Sequence, residues 1–124
     1  MLTIRSEQSD ALRRSALAPT REKFIVILKR KLPNQTSRQS DAALHTLCDT
    51  GILKASQYGI GTEYNVYIYI ATMLLLGQDF DTNPKTAWSR EILGDAHMHQ
   101  DVKAKLLELR VLMDTGTDVS PHGR

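Results

Sequence analysis

Cysteine is nearly absent from this chain: Cys48 is the only one in 124 residues. One thiol makes no internal disulfide and no paired-cysteine metal site, which excludes a disulfide-stapled scaffold and a zinc ribbon. Proline occurs four times and glycine seven, too seldom for a collagen-like or linker-rich chain. Long apolar runs are missing too. The longest, Val66 to Leu76, is interrupted only by Thr72 and spans eleven residues. A bilayer crossing needs about 20, so this run reads as a buried core helix with no membrane insertion. The opening Met1-Leu2-Thr3-Ile4-Arg5-Ser6-Glu7 has no basic flank leading into an apolar stretch. No secretory signal is therefore expected, and the expected location is cytoplasmic.

What is present is ordinary for a folded domain: 41% hydrophobic and 24% charged residues, in a length suited to one domain. The formal charge of +2 conceals an asymmetry. Residues 1–40 carry nine Lys or Arg against three acids, and residues 41–124 carry seven against eleven. A basic surface drawn from Arg13, Arg14, Arg21, Lys29, Arg30 and Lys31 would suit an acidic partner, nucleic acid included. The plainer alternative is that the two halves of one domain complement each other.

The periodicity gives an all-α fold, a compact bundle of about five or six helices around a central apolar helix at about 62–77. Ser6, Glu7 and Asp10 suit a helix start, and Leu12, Ala16 and Leu17 supply a modest apolar face as far as Pro19. Phe24, Ile27, Leu28 and Leu32 repeat at i, i+3, i+4 and i+8, and Pro33-Asn34 ends that segment. Residues 6–32 therefore form one helix kinked at Pro19 or two shorter ones. Asn34 to Ser40 reads as a polar connection. Ser40 then caps a helix whose stripe is Leu44, Leu47, Cys48, Gly51, Ile52 and Ala55. Gly51 either permits close packing there or breaks the helix. Tyr58-Gly59-Ile60-Gly61 is a turn, Thr62 caps the central helix and Gly77 closes it. After an irregular segment from Gln78, a short helix from Trp88 to Leu93 ends at Gly94. A last helix runs to about Met113 with a stripe of Val102, Leu106, Leu109 and Met113. Residues 1–114 are expected to be one helical domain and 115–124 a flexible tail.

The catalytic and metal motifs fail on spacing. Asp79-Phe80-Asp81-Thr82-Asn83 opens like a calcium loop, with oxygen ligands at positions 1, 3 and 5. Position 6, however, is Pro84 where glycine is needed, and position 12 is Arg90 where glutamate is needed. An Asx-rich turn with carboxylates on local backbone N–H groups is the simpler reading. His97 and His99 lack further ligands at metal spacing. His45 precedes Cys48 by three residues, with no third group to orient it. Residues 41–77 imitate a helix-turn-helix, but the second helix offers Glu63, Asn65 and apolar bulk to base edges rather than cations. Phosphate loops, GxSxG and HExxH are missing. No enzyme, metal or cofactor is expected.

Ala55-Ser56-Gln57-Tyr58-Gly59-Ile60, Leu76-Gly77-Gln78-Asp79-Phe80-Asp81-Thr82-Asn83-Pro84 and Trp88-Ser89-Arg90-Glu91-Ile92-Leu93 stand in a distinctive order behind the opening Met1 to Gln8. Together they resemble a group of small, all-helical bacterial proteins encoded beside type VI secretion spike and toxin genes. The resemblance spans most of residues 1–113 and departs at Pro19, where the group runs a continuous first helix. It implies a protein-binding accessory, either an adaptor or chaperone for a secreted toxin or spike-associated effector, or that toxin's immunity protein. It brings no catalytic motif. The expected contact surface is the irregular loop and its exit: Gln78, Asp79, Phe80, Asp81, Trp88 and Arg90. The competing reading is that Phe80 and Trp88 lock the loop onto the core. A homo-oligomer stays open.

Overall fold

The computed structural model describes residues 20–121. The expected helix over 6–17, its kink at Pro19 and the basic pair Arg13 and Arg14 lie outside the described residues. Within them the chain is all-helical. Helix α1 covers residues 20–31, α2 Pro33–Thr36, α3 Asp41–Gln57, α4 Glu63–Leu76, α5 Trp88–Leu93 and α6 Gln100–Thr115, with a 3-10 turn at Pro84–Thr86. None of these helices is long and apolar enough to cross a membrane.

Helix α4 is the centre of the bundle, as its composition requires. Every residue from Asn65 to Met73 is buried, so the helix has no solvent face over more than two turns. Thr72 Oγ1 donates to the Ile68 carbonyl at 2.8 Å, whereas the buried hydroxyls of Tyr67 and Tyr69 find no hydrogen-bond partner among the described residues. Helices α3 and α6 pack on two sides of α4, and α5 packs on α6. Helix α1 contributes Phe24, Leu28 and Leu32, with the Phe24 ring 6.3 Å from that of Tyr67.

The α3 stripe goes where its period sends it. Leu44, Leu47, Cys48, Gly51 and Ala55 are all buried, and the helix runs unbroken through Gly51. That glycine serves close packing: a Cβ there would lie 2.5 Å from Ile70 Cγ1 and 3.2 Å from Met73 Sδ. Ser40 caps α3 as expected, its side chain accepting from the Ala43 N–H at 3.0 Å.

Three local expectations are corrected. The segment after Leu32 is not simply a polar connection. Leu32 leaves helical geometry at φ −128°, and Pro33, suited to a first turn, starts the short α2. Thr62 makes no side-chain cap to α4. Gln100 does so from across the bundle, its Oε1 accepting from Gly61 N at 2.9 Å and Thr62 N at 3.1 Å. The tail expected from 115 onward is packed through residue 121. Gly116 ends α6 in the left-handed region at φ 74°, turning the chain back so that Val119 is fully buried and Pro121 is buried beside it.

Candidate protein-docking groove

Helix α6 carries two apolar stripes, and only one can face α4. Ala104, Leu107 and Val111 take the buried side, together with Lys103. Residues two positions away are turned by about 200°. The stripe of Val102, Leu106, Leu109 and Met113 therefore does not join the core: Leu109 is 44% exposed and Met113 75%. Ordinarily an amphipathic helix buries its larger apolar residues. Here Ala104, Leu107 and Val111 are the apolar residues taken into the core, and Leu109 and Met113 are left outward.

Helix α5 supplies the opposite wall. Trp88 and Ile92, one turn apart, face Leu106, Leu109 and Met113 across a groove of about 360 Å³ whose rim carries Glu91 and Arg110. Trp88 is half-buried. The Arg110 guanidinium stands 5.0 Å from the centroid of its ring, a cation–π arrangement that orients both side chains at the groove edge. Arg110 is also tethered along its own helix, 3.4 Å from Asp114.

The ring of Trp88 belongs to a longer aromatic row. Trp88 lies 6.5 Å from Phe80, Phe80 5.1 Å from Tyr69, and Tyr69 6.1 Å from Tyr58. This row answers the question left open for the 78–88 loop. Phe80 is fully buried, and its carbonyl accepts from Thr86 Oγ1 and Ser89 Oγ at 2.6 and 2.8 Å. Asp81 is buried as well, so neither residue is available as a contact. The carboxylate of Asp81 accepts from its own backbone N–H, as an Asx turn does, and also reaches α3, accepting from Lys54 Nζ at 2.8 Å and Tyr58 OH at 2.7 Å. Burial alone would raise its pKa. The bonds from Lys54 and Tyr58 and the Lys54 charge outweigh that and hold it below the ordinary carboxylate value. Burial, with the same contact added to it, pushes the Tyr58 phenol up to about 12. Gln78 and Asp79 are exposed, and Asp79 Oδ2 accepts from Asn83 Nδ2. Exposed Arg90 ties the loop down by donating to the Thr82 carbonyl at 2.8 Å.

The basic residues of α1 are largely engaged. Arg21 Nη1 lies 3.1 Å from Asp49, Lys23 Nζ 3.2 Å from Glu63 and Lys29 Nζ 3.3 Å from Asp41. These pairs join the basic first segment to the acidic remainder. Arg30 is exposed and Lys31 half-buried.

The chemical groups singled out by spacing are used structurally. Cys48 is fully buried, and burial, followed by the nearby Asp49 charge, pushes its thiol up to about 12. His45 turns away to Glu22, with 3.0 Å between Nε2 and Oε2. His99 Nδ1 accepts from the Asp101 N–H and caps α6. Among the described residues no three His, Cys, Asp or Glu side chains gather where a metal could bind.

The groove shares only Trp88 with the contact surface expected from sequence. The missed residues, Ile92, Leu106, Leu109, Arg110 and Met113, had left one signal: α6 holds more apolar residues than one buried face can use. No protein-family model, curated protein or solved structure matches this chain.

Proposed function

We propose that this protein is a non-catalytic accessory of a bacterial type VI secretion toxin system, a cytoplasmic adaptor or chaperone that holds its effector through the α5–α6 groove. The observation that carries this reading is the outward stripe Val102, Leu106, Leu109 and Met113 beside half-buried Trp88. Clustered apolar side chains facing water mark a recognition surface, and Trp and Arg at its edge are residue types enriched at binding hot spots. The resemblance in residues 1–113 supports the secretion context.

The occupant is an amphipathic helix of the partner. The stripe has the alternating four- and three-residue steps of a helix seam and runs for about 16 Å, three turns. Charge at the flanks favours a foreign helix over a second copy. Lys105 and Arg110 border the seam on opposite sides, so two parallel copies would set one against the other. A partner helix with acidic residues toward α6 and a basic residue toward Glu91 meets the rim in one orientation.

The test is a pull-down of the tagged chain from its own cell extract, run beside Leu109→Glu/Met113→Glu. The wild type should retain one stoichiometric toxin-like protein and the variant should lose it. Assaying that protein's toxicity with and without this chain then separates carrier from inhibitor, since an immunity protein abolishes the activity. Retention by the variant would remove the groove from the reading. Co-purifying nucleic acid released by moderate salt would replace the reading with one centred on the basic residues.

A further inference from the structure

Lys103 lies on the core side of α6 and is only 5% exposed. A lysine this deep is normally matched by a carboxylate, yet among the described residues its contacts are two backbone carbonyls. Nζ donates to Tyr58 O at 2.8 Å and to Leu93 O at 3.0 Å. Tyr58 is the C-cap of α3 and Leu93 the last residue of α5. Both acceptors therefore stand at helix C-termini, where partial negative charge accumulates. The ammonium holds two helix ends together and, among the described residues, uses two of its three N–H groups.

The same three residues line one cavity of about 460 Å³, which Gln57, Ala96 and Met98 help to enclose. Its volume falls in the range of small-ligand sites. Lys103 thus lines an open cavity, with one ammonium donor unmatched among the described residues. Leu93, Ala96 and Met98 add apolar surface, and Gln57 a polar amide.

We propose that this cavity binds a carboxylate bearing a small apolar group, anchored by Lys103 Nζ. A single negative charge supplies the full counter-ion that the two carbonyls lack. A phosphate dianion fits less well, because one cation faces it while two helix C-termini repel it. The apolar part of the ligand lies against Leu93, Ala96 and Met98. Such a carboxylate comes from either a free small acid or a polypeptide C-terminus. This site uses other faces of α5 and α6 than the docking groove and stands or falls independently of it.

The experiment is an amide NMR titration of the whole chain, following Gly59, Gly94 and Ala96, with N-acetyl-leucine and N-acetyl-leucinamide as matched probes. The acid should give saturable shifts at these residues, and the uncharged amide should bind at least tenfold more weakly. Equal binding of both probes, or no saturable shift with the acid, overturns the proposal without any substitution that might unfold the protein. Lys103→Met, where it folds, should abolish the preference for the acid. A pentapeptide ending in a free leucine carboxylate separates the two sources. Tighter binding than N-acetyl-leucine identifies a polypeptide C-terminus, and equal or weaker binding identifies a small acid.

Discussion

Tyr58 and Asp81, twenty-three residues apart in sequence, are joined by a 2.7 Å hydrogen bond from phenol to carboxylate. With Lys54 on the other carboxylate oxygen, this bond fixes the 78–88 loop to the end of α3. The loop holds Phe80 beneath Trp88, and Trp88 forms one wall of the groove. The carboxylate expected on a contact surface instead holds the scaffold on which the groove is built.

Replacing Asp81 with Asn keeps the shape but removes the charge. The Lys54 ammonium, 26% exposed, is then left against a neutral amide, and a loss of about 2 kcal/mol is expected at pH 7. The pH dependence has a definite sign. A carboxyl whose pKa is depressed by folding stabilises the native state above its unfolded value, about 3.9. That contribution drains as pH falls through the lower folded value. Urea unfolding between pH 7 and pH 2 should show a steeper acid loss for the wild type than for Asp81→Asn. Parallel curves would show that the pair contributes nothing at neutral pH.

Gly51 yields a prediction opposite to helix propensity. In an exposed helix, Gly→Ala gains about 1 kcal/mol. Here the new methyl carbon would lie 2.5 Å from Ile70 Cγ1, on a buried residue of α4 that cannot simply swing aside. Gly51→Ala should destabilise by about 1–3 kcal/mol. The cost should shrink in an Ile70→Ala background, where the clashing atom is gone. A thermal denaturation cycle of the four proteins measures the coupling, and additive effects would mean that the two helices adjust freely.

The order of helices, the α3 stripe, the central helix and the short helix at Trp88 were legible because each is a local pattern. Which face of α6 turns inward was not. Val102, Leu106, Leu109 and Met113 form as regular a stripe as Ala104, Leu107 and Val111, and the choice is made by tertiary packing on α4, which no local pattern reports. Asp81 misled for a related reason. Its bond to its own backbone is what an Asx-rich segment leads one to expect, but nothing local announces a lysine and a tyrosine twenty or more residues earlier. The groove was thus written in the sequence as residue types without a direction.

Gln100 tests a cap that no local motif foretells. Its Oε1 serves Gly61 N, Thr62 N and Asn65 Nδ2 at once, joining the start of α6 to the start of α4. Thr62, the residue placed to cap α4, makes no such bond. Gln100→Ala should therefore cost about 1 kcal/mol, the usual loss on removing a cap, while Thr62→Ala should be nearly neutral. Hydrogen exchange adds a local readout: the amides of Gly61 and Thr62 should lose protection in Gln100→Ala. If Thr62→Ala proves the costlier change, the threonine caps α4 in solution.

The segment after α6 gives the last prediction. Composition alone makes residues 117–121 look frayed, and a frayed valine can be shortened without effect. Val119, however, is fully buried and Pro121 packs near it, in the wall of a small cavity between α1 and α4 that includes Phe24, Tyr64 and Tyr67. Gly116, at φ 74°, makes the reversal that brings them there, and a side chain at that angle is strained. Val119→Ala should cost about 1–2 kcal/mol through lost burial and the space left behind. Gly116→Ala should cost about 1 kcal/mol at the hinge. Both losses should appear as lower urea midpoints with unchanged slope, since the same core unfolds in each case. Wild-type stability in both variants would return these residues to the solvent and leave the cavity open on that side.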